Sequence, residues 1–309
     1  MLAYILRRLL IAIPTLLIII VFSFVIITAA PGGPFTPEEG EQIDPEILAN
    51  LRAAYNLDEP IYVQLWLYMG NLLQGDLGPS FVFRGRTVAD IISTGFPVSL
   101  QLGLAAMAIG ILFGVTFGVI AALRKNSAVD YGVMSVAMTG IAVPTFVVAP
   151  LLALVFGLYL KLLPISGWGG GAIANMVLPV TALALSEIGV LARVTRGAMV
   201  DVMRANYIRT ARAKGLPERQ VVWRHTLRAA LLPIVSYVGP ATAGILTGSV
   251  VIEQIFGLPG IGRAFVEGAL NRDYPVVMGI TILYATIIIS LNLMTDIAYR
   301  FLDPRIRSD

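Results

Sequence analysis

The chain is 309 residues long, with 57% hydrophobic and 13% charged residues and a net charge of +3, and its mean hydropathy is +0.82. That profile lies outside the range of soluble domains and places the chain in a bilayer, while the small net charge reveals little as a total and does not point to nucleic acid. With no Cys and a single His, His225, disulfides, Cys-containing zinc sites, cysteine nucleophiles and multi-His metal clusters are excluded.

Backbone groups in lipid must bond to one another, so apolar runs near 20 residues are read as spanning helices. Six are predicted, over residues 9–30, 96–123, 131–160, 173–192, 229–252 and 274–295. The fold class is therefore an all-α polytopic membrane protein with six transmembrane helices. The first run follows Arg7 and Arg8 and exceeds the roughly 7–15 apolar residues of a signal peptide. Pro31 also follows Ala29 and Ala30 directly, so residues 1–30 are read as an uncleaved first span.

Residues 31–95 form a loop with helix signals of its own. Asp44 and Pro45 look like an N-cap and a first helical residue ahead of Ile47, Leu48 and Leu51. A second helix is predicted from near Asp58 and Pro60 to near Gly75, with Tyr62, Trp66 and Tyr68 suited to a membrane interface. Such helices either cap the bundle or receive a partner. In the second run Ala106, Gly110, Gly114, Gly118 and Ala122 recur every four residues, and Gly244 and Gly248 repeat the device in the fifth. Both read as close-packing faces. Pro144 and Pro150 in the third run and Pro240 in the fifth are kink signals. Glu187 is the one charge inside a predicted run, facing either a polar pathway or the cytoplasmic interface.

Charge placement fixes the orientation. With the N-terminus inside, Arg7, Arg8, Arg124, Lys125, the basic cluster from Arg193 to Arg228, and Arg300, Arg305 and Arg307 are all cytoplasmic, while the first external loop is acidic. The positive-inside rule thus selects N-in and C-in. Within the basic loop, residues 193–229, one helical pattern passes through Tyr207, Ile208, Ala211 and Lys214 and stops at Gly215, and another starts at Pro217. A basic helix pair of this kind reads as a topology determinant, an anionic-lipid contact or a nucleic-acid contact, the last disfavoured beside six spans, and charge alone does not separate a docking surface from a lipid-facing one.

The run from Asn206 to Pro217, NYIRTARAKGLP, followed by Arg224 to Pro233, RHTLRAALLP, resembles the EAA loop of ABC importer permeases in its peptide-permease version. The likeness continues through Leu6-Arg-Arg8 with Pro14, Ala30-Pro-Gly-Gly-Pro-Phe35, Gly75-Asp-Leu-Gly-Pro-Ser80, Phe96-Pro-Val-Ser99, Thr139-Gly140, Gly257-Leu-Pro-Gly-Ile-Gly262 and Asn271-Arg-Asp-Tyr-Pro275. It covers nearly the whole chain. The resemblance implies a type I ABC importer permease in a bacterial inner membrane, with a core over 96–296 and a cytoplasmic tail over 297–309. It also implies a homologous second permease, two cytoplasmic ATPase subunits that hold ATP and Mg, an extracytoplasmic peptide-binding protein and an oligopeptide substrate. The same family also handles dipeptides, glutathione and nickel chelates. The implied ATPase contact is Tyr207, Arg209, Thr210, Ala211, Arg212, Ala213, Lys214, Gly215, Leu216, Pro217 and Glu218. Arg209 stands where the loop's name has an acid, so a glutamate salt bridge at that position does not carry over. Thr139, Pro144, Ser186, Glu187 and Ser249, on the third to fifth runs, are candidate pathway residues.

Lys125, Lys161 and Lys214 sit in no phosphate-binding loop, so the chain is expected to bind no cofactor and no ATP by that motif. An intramembrane hydrolase is disfavoured, because no Ser lies in G-x-S-x-G and no H-E-x-x-H is present. A self-sufficient secondary transporter is disfavoured by the lack of a visible repeat and by the single ionisable candidate, Glu187.

Overall fold

A computed structural model describes residues 2–29, 33–35 and 45–302. In chain order the helices are α1 (Leu2–Ala29), α2 (Pro45–Ala54), α3 (Ile61–Leu73), α4 (Val88–Leu123), α5 (Ala128–Ala142), α6 (Thr145–Leu152) and α7 (Ile173–Met203). There follow α8 (Asn206–Ala213), α9 (Glu218–Gln220), α10 (Leu227–Gly248), α11 (Val250–Ile255), α12 (Ile261–Leu270) and α13 (Tyr274–Leu302). Wider π-type turns extend α6 over Ala153–Tyr159 and join α9 to α10 over Val221–Thr226. Among these residues, five continuous helices are long and apolar enough to cross a membrane, and a bent pair makes a sixth candidate.

Several boundaries move from the hydropathy reading for local reasons. The second span begins at Val88, ahead of 96, because Thr87 and Asp90 cap it reciprocally: each side chain accepts the other's backbone N–H, at 3.0 and 3.1 Å. The fourth continues past Ala192 to Met203, since hydropathy fades where Arg193 and Arg196 begin while the helix does not. The third run is two helices bent by 100°. Val143 is extended, as a residue before proline prefers, and Pro144 caps α6. The fifth run extends to Ile255 and so includes Glu253, which makes Glu187 not the only carboxylate within the spans. Asp44 lies outside the described residues, whereas α2 does start at Pro45.

The chain packs as two units, Met1–Pro97 with Pro259–Ile287 and Val98–Leu258 with Ile288–Asp309. In the first, Ile20 and Phe24 of α1 and Met278 of α13 are buried beside Leu65, Tyr68, Met69 and Leu72 of α3. Tyr62 and Trp66 stay exposed, at 71% and 80%, on the helix expected at the interface. The Tyr68 hydroxyl has no hydrogen-bond partner among the described residues and lines a cavity of about 160 Å³. Burial pushes its pKa up to about 12, so it stays protonated at working pH.

A knot around Asp273 closes this unit. Its carboxylate accepts the Ser80 hydroxyl proton and the backbone N–H groups of Phe81 and Val82, the latter two at 3.1 Å, and the residue is fully buried. Ser80 Oγ accepts in turn from the N–H of Phe83 at 2.8 Å. Asp273→Ala would orphan these donors at about 1–3 kcal/mol each. The expected outcome is faster limited proteolysis between Phe81 and Arg86 from the outer face, with the basic cytoplasmic loop cut no faster than before.

In the second unit α7 is central, packing against α5, α6 and α10 and against the small-residue face of α4. A Cβ placed on Gly110, Gly114 or Gly118 would come within 3.0 Å of Glu187, Leu191 and Thr195 in turn, so the small-residue face of α4 is filled by α7, as its spacing predicts. Both sets of numbers rise together, which makes α4 and α7 parallel. Against α7 the order of α5 is reversed, with Gly140 on Leu185 and Gly189 on Ala137. The chain between α4 and α7 must therefore return to the level where α4 began, so the bent pair crosses the bundle. Gly244 and Gly248 behave differently: nothing lies within 4 Å of a Cβ added at either. They are small without being packed in this chain, which corrects the sequence reading.

Candidate functional site

The cytoplasmic loop folds as the helix, turn and helix its punctuation predicts. Ile208 and Ala211 of α8 are buried against Val221, with Leu216 packed beside them. The turn is a left-handed helix cap: Gly215 has φ +76, its N–H donates to Arg212 O at 2.9 Å, and Leu216 N–H donates to Ala211 O at 3.3 Å. These two bonds satisfy carbonyls that the helix end leaves open. Pro217, at φ −63 and ψ 141, then serves as the N-cap of α9 and not as its first residue. Arg212 closes the turn from outside, its Nε and Nη2 donating to Glu218 at 3.1 and 2.6 Å. Glu218 raises an Arg212 pKa that is already far above working pH, so the guanidinium stays charged. Both side chains are exposed, which limits such a pair to about 0–1 kcal/mol and makes it a geometric tie.

The eleven predicted contact residues therefore separate by direction. Tyr207, Arg209, Thr210, Arg212, Ala213, Lys214, Gly215, Pro217 and Glu218 are exposed, Leu216 is half-buried and Ala211 is buried. The result is an exposed, largely basic rim on a small packed core.

The candidate pathway residues do not form one cluster. Thr139 and Pro144 are exposed on and just after α5. Ser186 is half-buried and donates to Leu183 O at 3.2 Å, and Glu187 accepts the Tyr237 hydroxyl proton at 2.8 Å. Ser249 is fully buried and donates to Glu253 Oε1 at 2.7 Å, as does Ser99. It belongs to an interior polar knot joining α4 to α11. Sequence reasoning missed that knot, and also the ion pair of Asp130 with Arg196. The only local signal for the latter was Ser127 three residues before Asp130, an N-cap whose Oγ accepts the Asp130 N–H at 3.3 Å. Among the described residues no group of three or more His, Asp or Glu could hold a metal ion.

Six predicted spans and an exposed, capped helix turn on the basic side define the class, a polytopic membrane protein with a structured loop on that side, and its relatives make it a transport component. Residues 114–308 match the family model described as binding-protein-dependent transport system inner membrane component, and residues 1–103 match the corresponding N-terminal model. The chain belongs to this family of inner-membrane permease components. It is 53% identical to the oligopeptide transport system permease protein OppB of Salmonella typhimurium and 52% to that of Escherichia coli K12, each over 99% of this chain and 100% of the relative. The dipeptide transport system permease protein DppB of Bacillus subtilis is 43% identical over 98% of this chain and 97% of its own length. Two solved structures share the fold. An inward-facing MetNI methionine ABC transporter matches with TM-score 0.56 and 15% identity, over 69% of this chain and 96% of that one. An amino acid ABC transporter matches with TM-score 0.51 and 16% identity, over 69% and 94%. The architecture is the type I ABC importer permease fold.

Proposed function

We propose that the chain is the transmembrane permease subunit of an ATP-driven oligopeptide importer. It forms half of the translocation pathway beside a homologous second permease. Two cytoplasmic ATPase subunits bind ATP and Mg and hydrolyse the nucleotide, an extracytoplasmic binding protein delivers the peptide, and this chain itself binds no cofactor. The observation that carries the coupling role is the capped Gly215 turn, whose exposed rim stands on a buried core. Full-length identity above 50% to oligopeptide permeases supports the substrate class.

In this reading the turn seats in a cleft of one ATPase. Closure of the ATPase pair changes the contacts made by Tyr207, Arg209, Lys214 and Pro217, and that difference between states is the free energy that shifts the spans. The pathway runs past Thr139, Pro144 and Glu187. A tagged chain purified from membranes should bring a second permease and two ATPases. The reconstituted assembly should accumulate a labelled oligopeptide only with ATP and the binding protein. Accumulation by this chain alone, driven by an ion gradient, would replace this reading with a secondary transporter.

A further inference from the structure

We infer that the Asp130–Arg196 ion pair makes α5 and α7 one lever, which delivers motion of the cytoplasmic turn to the break at Val143 and Pro144. This rests on the coupling role proposed above. The pair lies where α5 begins, on the cytoplasmic side. Arg196 Nε donates to Asp130 Oδ1 and Nη2 to Oδ2, both at 2.6 Å, with Asp130 only 1% exposed. The Asn126 N–H adds a third donor to the same carboxylate at 2.8 Å. A fork of this kind fixes both distance and angle, which a single contact does not.

Further along, the same two helices approach too closely for any side chain to intervene. A Cβ at Gly140 would meet the Leu185 carbonyl, and one at Gly189 the Ala137 carbonyl, both within 3.0 Å. The antiparallel pair is thus held at its cytoplasmic end by charge and, near the end of α5 next to the break, by backbone contact. α7 runs to Met203 and reaches α8 through Arg204 and Ala205, so a push on the turn reaches α7 directly. α5 follows α7 and ends in the 100° bend, the place where its motion is released. Thr139 and Pro144 at the bend and Ser186 and Glu187 on α7 all ride on this lever. Asp130 and Arg196 are positioning residues and touch no substrate.

The test uses the reconstituted importer with its binding protein and two readouts, peptide uptake and stimulation of ATP hydrolysis by the loaded binding protein. Arg196→Gln is expected to lower uptake about tenfold and leave stimulation within about twofold of normal, because the ATPases still engage the turn. Gly215→Val, by contrast, should lower both. Because the chain has no Cys, Asp130→Cys combined with Arg196→Cys can be bridged by a short bis-thiol-reactive linker. Uptake should be low before bridging and recover after it, a gain that repair of a merely destabilised protein does not predict. Normal uptake by Arg196→Gln overturns the inference. So does parallel loss of both readouts that bridging leaves unrestored, and so does a bridge that blocks uptake, since the helices would then have to slide.

Discussion

Gly215→Val is expected to abolish peptide uptake and the ATPase stimulation that accompanies it, while the chain remains in the membrane with its partners. At φ +76 a left-handed backbone costs a side-chain-bearing residue about 1–2 kcal/mol, and a β-branched one most of all. No atom lies within 4 Å of a Cβ added there, so the loss is one of turn geometry and not of packing. Relaxing that strain breaks the bonds to Arg212 O and Ala211 O and redirects Pro217. Asn tolerates this conformation, so Gly215→Asn should retain most of the uptake that Val loses. The measurement is transport and ATP hydrolysis side by side on reconstituted assemblies. Equal, normal transport by the Val and Asn variants would remove the turn from the coupling mechanism.

A marked stability loss is expected at Gly140→Val. The obstacle is the backbone carbonyl of Leu185, which no rotamer change can move aside, and overpacking of this kind costs about 1–3 kcal/mol. Gly244→Val provides the contrast, because nothing lies within 4 Å of its added Cβ. In thermal unfolding of the detergent-solubilised chain, the first variant should melt well below the parent and the second close to it. If both melt alike, the close approach of α5 to α7 is wrong, and the lever built on it falls too.

Gly140 and Gly244 also show what a sequence can and cannot disclose. Both sit in apolar runs, and smallness is legible from the residue itself, but the neighbour it admits is set by a segment far away in the chain. The capped turn was legible because its cause is local: Gly215 supplies the left-handed residue and Pro217 caps the next helix within three positions. The break at Val143 was legible as a proline signal, though its angle was not, since packing against α7 and α11 sets that. Hydropathy stopped at Ala192 because it measures lipid preference, whereas the helix continues into water to carry the loop. The polar knots were invisible for the plainest reason. Asp130 and Arg196 are 66 residues apart, and Ser99 and Glu253 are 154 apart. Only the folded chain introduces them to one another.

The knot at Asp273 carries that separation furthest, with 193 residues between Ser80 and its anchor. During synthesis the loop after Gly75 leaves the ribosome and crosses to the outer side long before Asp273 has been translated. A nascent chain halted before Asp273 has no acceptor for the N–H groups of Phe81 and Val82. The turn after Ser80 can therefore close only once the chain has been made through Asp273, so this part of the outer side folds late although it is translated early.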